Sequence, residues 1–418
     1  MKQCWFVRST ALILTLALAG CAKQPIPGSS SAPSASVDVS LSGENFIPLE
    51  SSEEADPLPE VGHRWYPEFT DHLIPCPDYG ELVPMRGPYV GAAGRVYPWG
   101  DGLMTIDGKV VLDPVLDDVY YCCCTDENGD TIPLPALYLS RYMRADGSEQ
   151  VEQVALAASD GSWVTGFDYW GCIEFPGGLA VGDHDRMSIL DPETGETLRS
   201  WTWEALGLQG PEEVYWVTGD AYVTAQWALG ALYLGDGSQG HVRLLNPETG
   251  AITEVEAQKL IDYFDRIYNT LGHGLTEARI MEDGSSVLTY RGKEYRFPSS
   301  LPQNDYPWIT TTGQVLFNSK DGQCAVTTLD GQIILPVQPG EAEELPALDG
   351  GNLLGILNDE GWQIYDREGT LLSRLPGGEK SRADIAGPLV EITEDNCASY
   401  YRPETGECVF RTYWAEEN

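Results

Sequence analysis

Cys21 is the residue in this sequence whose type and position most directly imply chemistry. It follows Leu18-Ala19-Gly20, the end of a segment that opens with Met1-Lys2, carries Arg8 and runs apolar from Ala11 to Ala19. A positive start, an apolar stretch of about ten residues and small residues before a break make a secretory signal. Crossing a bilayer takes about 20 apolar residues, so the run is too short to span one.

The other reactive groups give weaker patterns. Besides Cys4 and Cys21 there are Cys76, Cys122, Cys123, Cys124, Cys172, Cys324, Cys397 and Cys408. If the turn at 403–406 closes a regular hairpin, Cys408 faces Tyr401, and Cys397 lies about 13 Å farther along. A bridge needs Cα atoms within about 7 Å, so this pair stays open. Most cysteines are therefore expected to be free. No CxxC pair suggests zinc. Asp126-Glu127-Asn128-Gly129-Asp130 alternates oxygen ligands as calcium loops do, but Thr131 stands where an EF-hand needs glycine and Leu137 where it needs glutamate. A solvated acidic turn is the expectation. The histidines His63, His72, His184, His241 and His273 form no metalloprotease motif, and neither a nucleophile elbow nor a phosphate loop is present. The sequence thus assigns no catalytic residue, no metal and no cofactor.

Leu18-Ala19-Gly20-Cys21 resembles the lipobox of bacterial lipoproteins. That resemblance implies acylation of Cys21 through its thiol, cleavage before it, and an extracytoplasmic protein anchored in the cell membrane. After Cys21 come Ser29-Ser30-Ser31-Ala32-Pro33-Ser34 and Glu50-Ser51-Ser52-Glu53-Glu54-Ala55-Asp56. Such composition buries no core and reads as a disordered tether, with a reach of roughly 35 Å for about forty residues. The expected organisation is a signal over 1–20, a flexible tether over 21–65 and a folded body over 66–418.

Net charge is −39 and hydrophobic residues make up 42% of the chain. A substantial core is available. No basic stripe could neutralise phosphates, which argues against a nucleic-acid partner.

The body carries a repeat in its turns. Glycine turns fall at Asp107-Gly108, Asp146-Gly147, Thr194-Gly195, Thr249-Gly250, Arg291-Gly292, Asp330-Gly331, Glu368-Gly369 and Thr405-Gly406, at intervals of 37 to 55 residues. Strand-like runs flank them, such as Met187-Ser188-Ile189-Leu190 before one and Gln332-Ile333-Ile334-Leu335 after another. A unit of three or four short strands near a forty-residue period buries its faces only by stacking, which points to an all-β propeller of seven or eight blades. Residues 66–100 would complete or close the ring. A pair of β domains is the alternative architecture. Leu260, Ile261, Phe264, Ile267, Tyr268 and Leu271 at helical spacing before Gly272 predict one inserted helix over 256–271, and 201–208 a shorter helical turn.

Asp191-Pro192-Glu193-Thr194-Gly195-Glu196, Asn246-Pro247-Glu248-Thr249-Gly250 and Arg402-Pro403-Glu404-Thr405-Gly406-Glu407 resemble hairpins of quinoprotein-type beta-propeller repeats. Gly102 to Pro114 resembles a WG repeat of bacterial surface proteins. These resemblances imply an architecture that hosts binders, scaffolds and enzymes alike. The expected function is a lipid-anchored binding or scaffold protein, with the membrane reached through the lipid and an envelope protein or glycan as partner. A glycan-acting hydrolase or lyase with an acidic pair in the central channel, or a subunit of an envelope assembly complex, are the alternatives. Trp99, Trp170, Trp227 and Trp308 are the candidate contacts in loops between blades.

Overall fold

The glycine turns close hairpins at one recurring place. In the computed structural model the described residues are 80–413, save 91–95, 126–130, 146–148, 212–213, 215–226, 237, 239, 271–274, 291, 303–306, 311, 348–350 and 395–396. The expected signal and tether, Cys21, Cys76, and the segments 126–130 and 146–147, expected as an acidic turn and a glycine turn, lie outside them. Eight small antiparallel sheets follow one another along the chain, each a simple meander. The first comprises β1 (Leu82–Val90), β2 (Val96–Thr105) and β3 (Val110–Leu116), and the second β4 (Asp118–Thr125), β5 (Thr131–Ala145) and β6 (Glu149–Ala158). The third holds β7 (Cys172–Phe175), β8 (Gly178–Gly182), β9 (Arg186–Leu190) and β10 (Thr197–Thr202). The fourth holds β11 (Trp227–Ala228), β12 (Ala231–Asp236), β13 (His241–Leu245) and β14 (Ile252–Glu256). Helix α1 (Ala257–Thr270) leads to the fifth, β15 (Leu275–Ile280), β16 (Ser286–Tyr290) and β17 (Lys293–Phe297). The sixth is β18 (Trp308–Ile309), β19 (Gln314–Asn318), β20 (Gln323–Thr328) and β21 (Ile333–Pro339). The seventh is β22 (Glu341–Leu345), β23 (Leu353–Asn358), β24 (Gly361–Tyr365) and β25 (Leu371–Leu375). The eighth is β26 (Arg382–Ala386), β27 (Leu389–Glu394), β28 (Cys397–Tyr401) and β29 (Cys408–Tyr413).

In every sheet whose turn is described, the repeat glycine joins the last two strands. Gly250, at φ 75°, shows why glycine is needed: its N–H donates to Asn246 O, while Asn246 Oδ1 accepts the N–H groups of Glu248 and Thr249. The indole of Trp201, from the preceding sheet, covers this turn; a Cβ on Gly250 would stand 2.7 Å from Trp201 Cε2. Trp163 covers Gly195 in the same way and donates its Nε1–H to Glu193 O at 3.0 Å.

Among the described residues, shared cores join successive sheets except the fourth and fifth, where β13 packs on α1 instead. Leu82, Leu103 and Leu112 pack on Leu137, Leu139 and Ala157; Ile173 and Met187 pack on Leu232 and Leu245. Phe297 meets Phe317 edge-on, with centroids 5.2 Å apart. Trp362 and Ile364 pack on Val390 and Ile392. The last sheet returns to the first: Met85 and Met104 share a core with Ala398, Tyr400 and Phe410. First strands touch first strands, β1 against β4 and β26, β4 against β7, β7 against β11. Burial follows that geometry, since every residue of β7 is buried and β10 is exposed apart from half-buried Trp201. The body is all-β and propeller-like. Of residues 66–100, those described from 82 onward belong to β1 and β2 of the first sheet, which shares a core with the eighth.

Two expectations are corrected in detail. The helix stands between the fourth and fifth sheets as expected, but Ile261 is exposed and Tyr263 is buried with Leu260 against Val242. The short helical turn is confined to Glu204–Leu206, because Trp201 is held in β10 by pairing with Met187. Cys408 does face Tyr401, and Cys397 faces Tyr413. Cys122, Cys172, Cys324 and Cys397 are free thiols; Cys122 and Cys124 are buried and Cys123 is half-buried.

Candidate functional site

A cavity of about 460 Å³ opens where β1, β4 and β26 converge, between the first, second, seventh and eighth sheets. Its wall is largely apolar, with Pro84, Met85, Val119, Pro133, Leu134 and Pro388. Size and lining suit a small ligand, since ligand pockets run from about 300 to 1,000 Å³ with a few placed polar groups.

The polar groups arrive as cross-strand pairs. Arg86 of β1 stands opposite Asp101 of β2, and Asp384 of β26 opposite Glu391 of β27. Residues directly opposite in an antiparallel pair have Cβ atoms about 5 Å apart, so each pair meets on one face. Arg86 Nε lies 3.7 Å from Asp101 Oδ1. The other oxygen, Asp101 Oδ2, accepts the N–H of Val119 at 3.1 Å and ties the second sheet to the first. Tyr400 closes the opposite seam, accepting the N–H of Arg86 at 2.9 Å and donating to Glu391 Oε1 at 3.1 Å. Tyr121 donates to Leu82 O at 2.6 Å. A side chain at Gly387 would run into the Tyr121 ring, 3.1 Å from Cζ, so the hairpin between β26 and β27 sits directly on that ring.

Burial governs the electrostatics. It pushes the Asp101 carboxyl up to about 7, opposed by the Arg86 charge and the Val119 hydrogen bond. Asp384 is pushed up to about 6 by burial and by the Glu391 charge, with Arg86 opposing. Glu391 is raised by burial against the pull of Arg86 and Tyr400. Near neutral pH the site therefore holds carboxyls poised between protonated and ionised forms, which can exchange protons or accept a positive charge. Behind Tyr120, which stacks on Tyr138 at 4.6 Å, lies a second buried acid. Glu174 Oε2 accepts the N–H of Cys123 at 2.6 Å, the Cys122 thiol also bonds it, and burial raises its carboxyl to about 8.

The tryptophans expected to make contacts are dispersed. Trp170 precedes β7 and is 39% exposed, and Trp308, in β18, is 38% exposed; neither lines the cavity. Trp99 and Trp227 belong to β2 and β11 rather than to loops. Asp101, Asp384 and Glu391 are three of 64 acidic residues, and Arg86 is one of 25 basic ones, so composition does not single them out. Their signal is position: each interrupts an apolar strand, as in Ala383-Asp384-Ile385-Ala386 and Leu389-Val390-Glu391-Ile392. Among the described residues, no three His, Cys, Asp or Glu side chains converge as a metal ion would require.

No family model matches the chain, and no curated protein matches it. Solved structures similar to parts of it include one described as a eukaryotic initiation factor, 10% identical with a TM-score of 0.32, covering 80% of this chain and 96% of that one. Another is Hsv2p of Kluyveromyces lactis, 12% identical with a TM-score of 0.21, over 56% of this chain and 74% of that one. A third is BBS1N in complex with ARL6DN, 14% identical with a TM-score of 0.20, over 73% and 95%.

Proposed function

We propose that this chain is a lipid-anchored extracytoplasmic binding protein, an eight-bladed propeller on a tether acylated at Cys21, whose ligand seats in the cavity at the ring's closing seam. The observation that carries the reading is that cavity, with apolar walls and four carboxyl-bearing side chains, Glu81, Asp101, Asp384 and Glu391, around Arg86. Arg86 and Glu391, which Tyr400 bridges across the seam between the first and last sheets, both line the ligand space, so occupancy and ring closure are coupled. Ala347 lines the cavity, and Ala347→Trp fills it without altering a charge. In a thermal-shift screen of small metabolites and cell-surface oligosaccharides, a true ligand at about 100 times its Kd stabilises the wild type by about 2.7 kcal/mol and leaves the filled variant unmoved. A ligand that stabilises both equally argues against this site.

A second reading, a glycan-acting hydrolase or lyase, draws on Asp101 near 7 and Asp384 near 6, values that suit general acid and base work. Asp101 is already engaged by Val119 and Arg86, which favours binding over turnover. Release of reducing ends from a polysaccharide, lost in Asp384→Asn, would reverse that order.

A further inference from the structure

Asp384 and Glu391 form an unusual pair. They stand directly opposite one another in the eighth sheet, both line the cavity, and Glu391 is 2% exposed. Like charges facing across an antiparallel ladder repel, and burial adds to the cost. The neighbouring sheet solves the same packing problem with opposite charges, Arg86 against Asp101. Among the described residues Arg86 is the one basic side chain lining the cavity, and Arg382, two residues before Asp384 on β26, adds a second positive charge that acts on Asp384. Asp101 Oδ1 is buried and accepts no hydrogen bond among the described residues. The remaining wall is proline-rich and apolar, with Pro84, Pro133, Pro135, Pro346 and Pro388. The carboxyls do not converge as a metal's ligands would. The cavity thus sets a facing pair of carboxyl groups beside an apolar, proline-rich wall.

We propose that the cavity takes an alkylammonium group, its charge set between Asp384 and Glu391 and its methylene stem along the proline wall. This names the ligand class of the binding site proposed above and rests on that reading. The same chemistry is offered by a free aliphatic diamine or by a lysine side chain of a peptide. The charged and titratable groups around the pair are Arg86 of β1, Arg382 of β26, Asp101 of β2, Tyr120 and Tyr121 of β4, Tyr400 of β28, and Glu81 in the cavity lining. Pairing with a cation requires the Asp384–Glu391 pair to be ionised, so binding releases protons and tightens as pH rises.

The test is isothermal titration calorimetry of the full chain with 1,5-diaminopentane and with Nα-acetyl-lysine methylamide, in about 0.3 M salt to screen exposed charges. Pentan-1-ol, calcium chloride and a neutral oligosaccharide serve as comparison arms. Either amine should bind at one saturable site, release protons in buffers of differing ionisation heat, and bind about tenfold more weakly near pH 5 than near pH 8. The stronger of the two amines names the source. Asp384→Asn/Glu391→Gln should lose at least about tenfold in affinity, that is about 1.4 kcal/mol. Ala347→Trp, which keeps every charge, should lose binding too, with folding of both variants checked by circular dichroism. Unchanged amine binding in both variants, or equal affinity for pentan-1-ol or calcium, overturns the proposal. Binding of the neutral oligosaccharide alone, blocked by Ala347→Trp, removes the alkylammonium class and leaves the cavity as the ligand site.

Discussion

Substituting alanine for Gly108 should open the ring where it closes. Gly108 turns β2 into β3 at φ +79° and lies against the last sheet. A Cβ there would fall inside the radius of the Val409 carbonyl oxygen, 2.8 Å from the Val409 carbonyl carbon and 3.3 Å from Phe410 Cβ. Gly331 occupies the same turn of the sixth sheet at φ +84°, with nothing within 4 Å of an added Cβ. Both variants place an L residue in the left-handed region, which costs roughly 1–2 kcal/mol. Gly108→Ala must also move the β29 backbone, and overpacking of that kind adds about 1–3 kcal/mol. The predicted excess over Gly331→Ala is therefore about 2 kcal/mol. With a slope near 3 kcal/mol per molar urea, the unfolding midpoint should drop about 0.7 M further in Gly108→Ala than in Gly331→Ala. Equal losses would mean that the first turn does not press on the last sheet, and the closed arrangement of the first and eighth sheets would be refuted.

Three other outcomes follow from the same residues. Tyr400→Phe removes the bridge between the Arg86 N–H and Glu391, leaving buried polar groups unsatisfied, and should cost about 1–3 kcal/mol in urea denaturation. Burial raises Glu174 to about 8, Asp101 to about 7 and Asp384 to about 6, all above the unfolded carboxyl range. Their contribution is thus fully present below about pH 4 and lost as pH rises toward 8. Glu174→Gln keeps an acceptor for the Cys123 N–H while removing the charge. It should flatten the upper part of that fall and be more stable than wild type near pH 9, by on the order of a few kcal/mol, since one pH unit is worth about 1.4 kcal/mol; urea midpoints across pH check this. Metabolic labelling with a fatty-acid analogue should mark the wild type and leave Cys21→Ala unlabelled, and equal labelling would remove the anchor.

The rhythm of the fold was legible because one backbone constraint repeats. A hairpin turn that needs positive φ selects glycine wherever it occurs, so Gly108, Gly195, Gly250, Gly292, Gly331, Gly369 and Gly406 mark the same junction in seven sheets. Hairpin arithmetic likewise placed Cys408 opposite Tyr401. The helical pattern located α1 but misjudged Ile261, because the face presented to the fourth sheet is centred on Leu260 and Tyr263. Trp201 was misassigned since helical spacing cannot reveal that its indole is held against Gly250 of the next sheet. The cavity was illegible for a topological reason. Arg86 and Tyr400 are 314 residues apart and meet only when the last sheet reaches the first. The apolar neighbours of Asp384 and Glu391 hint at burial, but nothing local shows that the two face each other beside a cavity.

That the ring is a binding module loaded at its closing seam is tested most directly by native mass spectrometry of the full chain recovered from the cells that make it. Apart from any acyl group on Cys21, the wild type should carry one small molecule of a single mass, and Ala347→Trp recovered in the same way should carry none. A wild type without any such adduct, or the same adduct on both proteins, would contradict a ligand site between the first, second, seventh and eighth sheets.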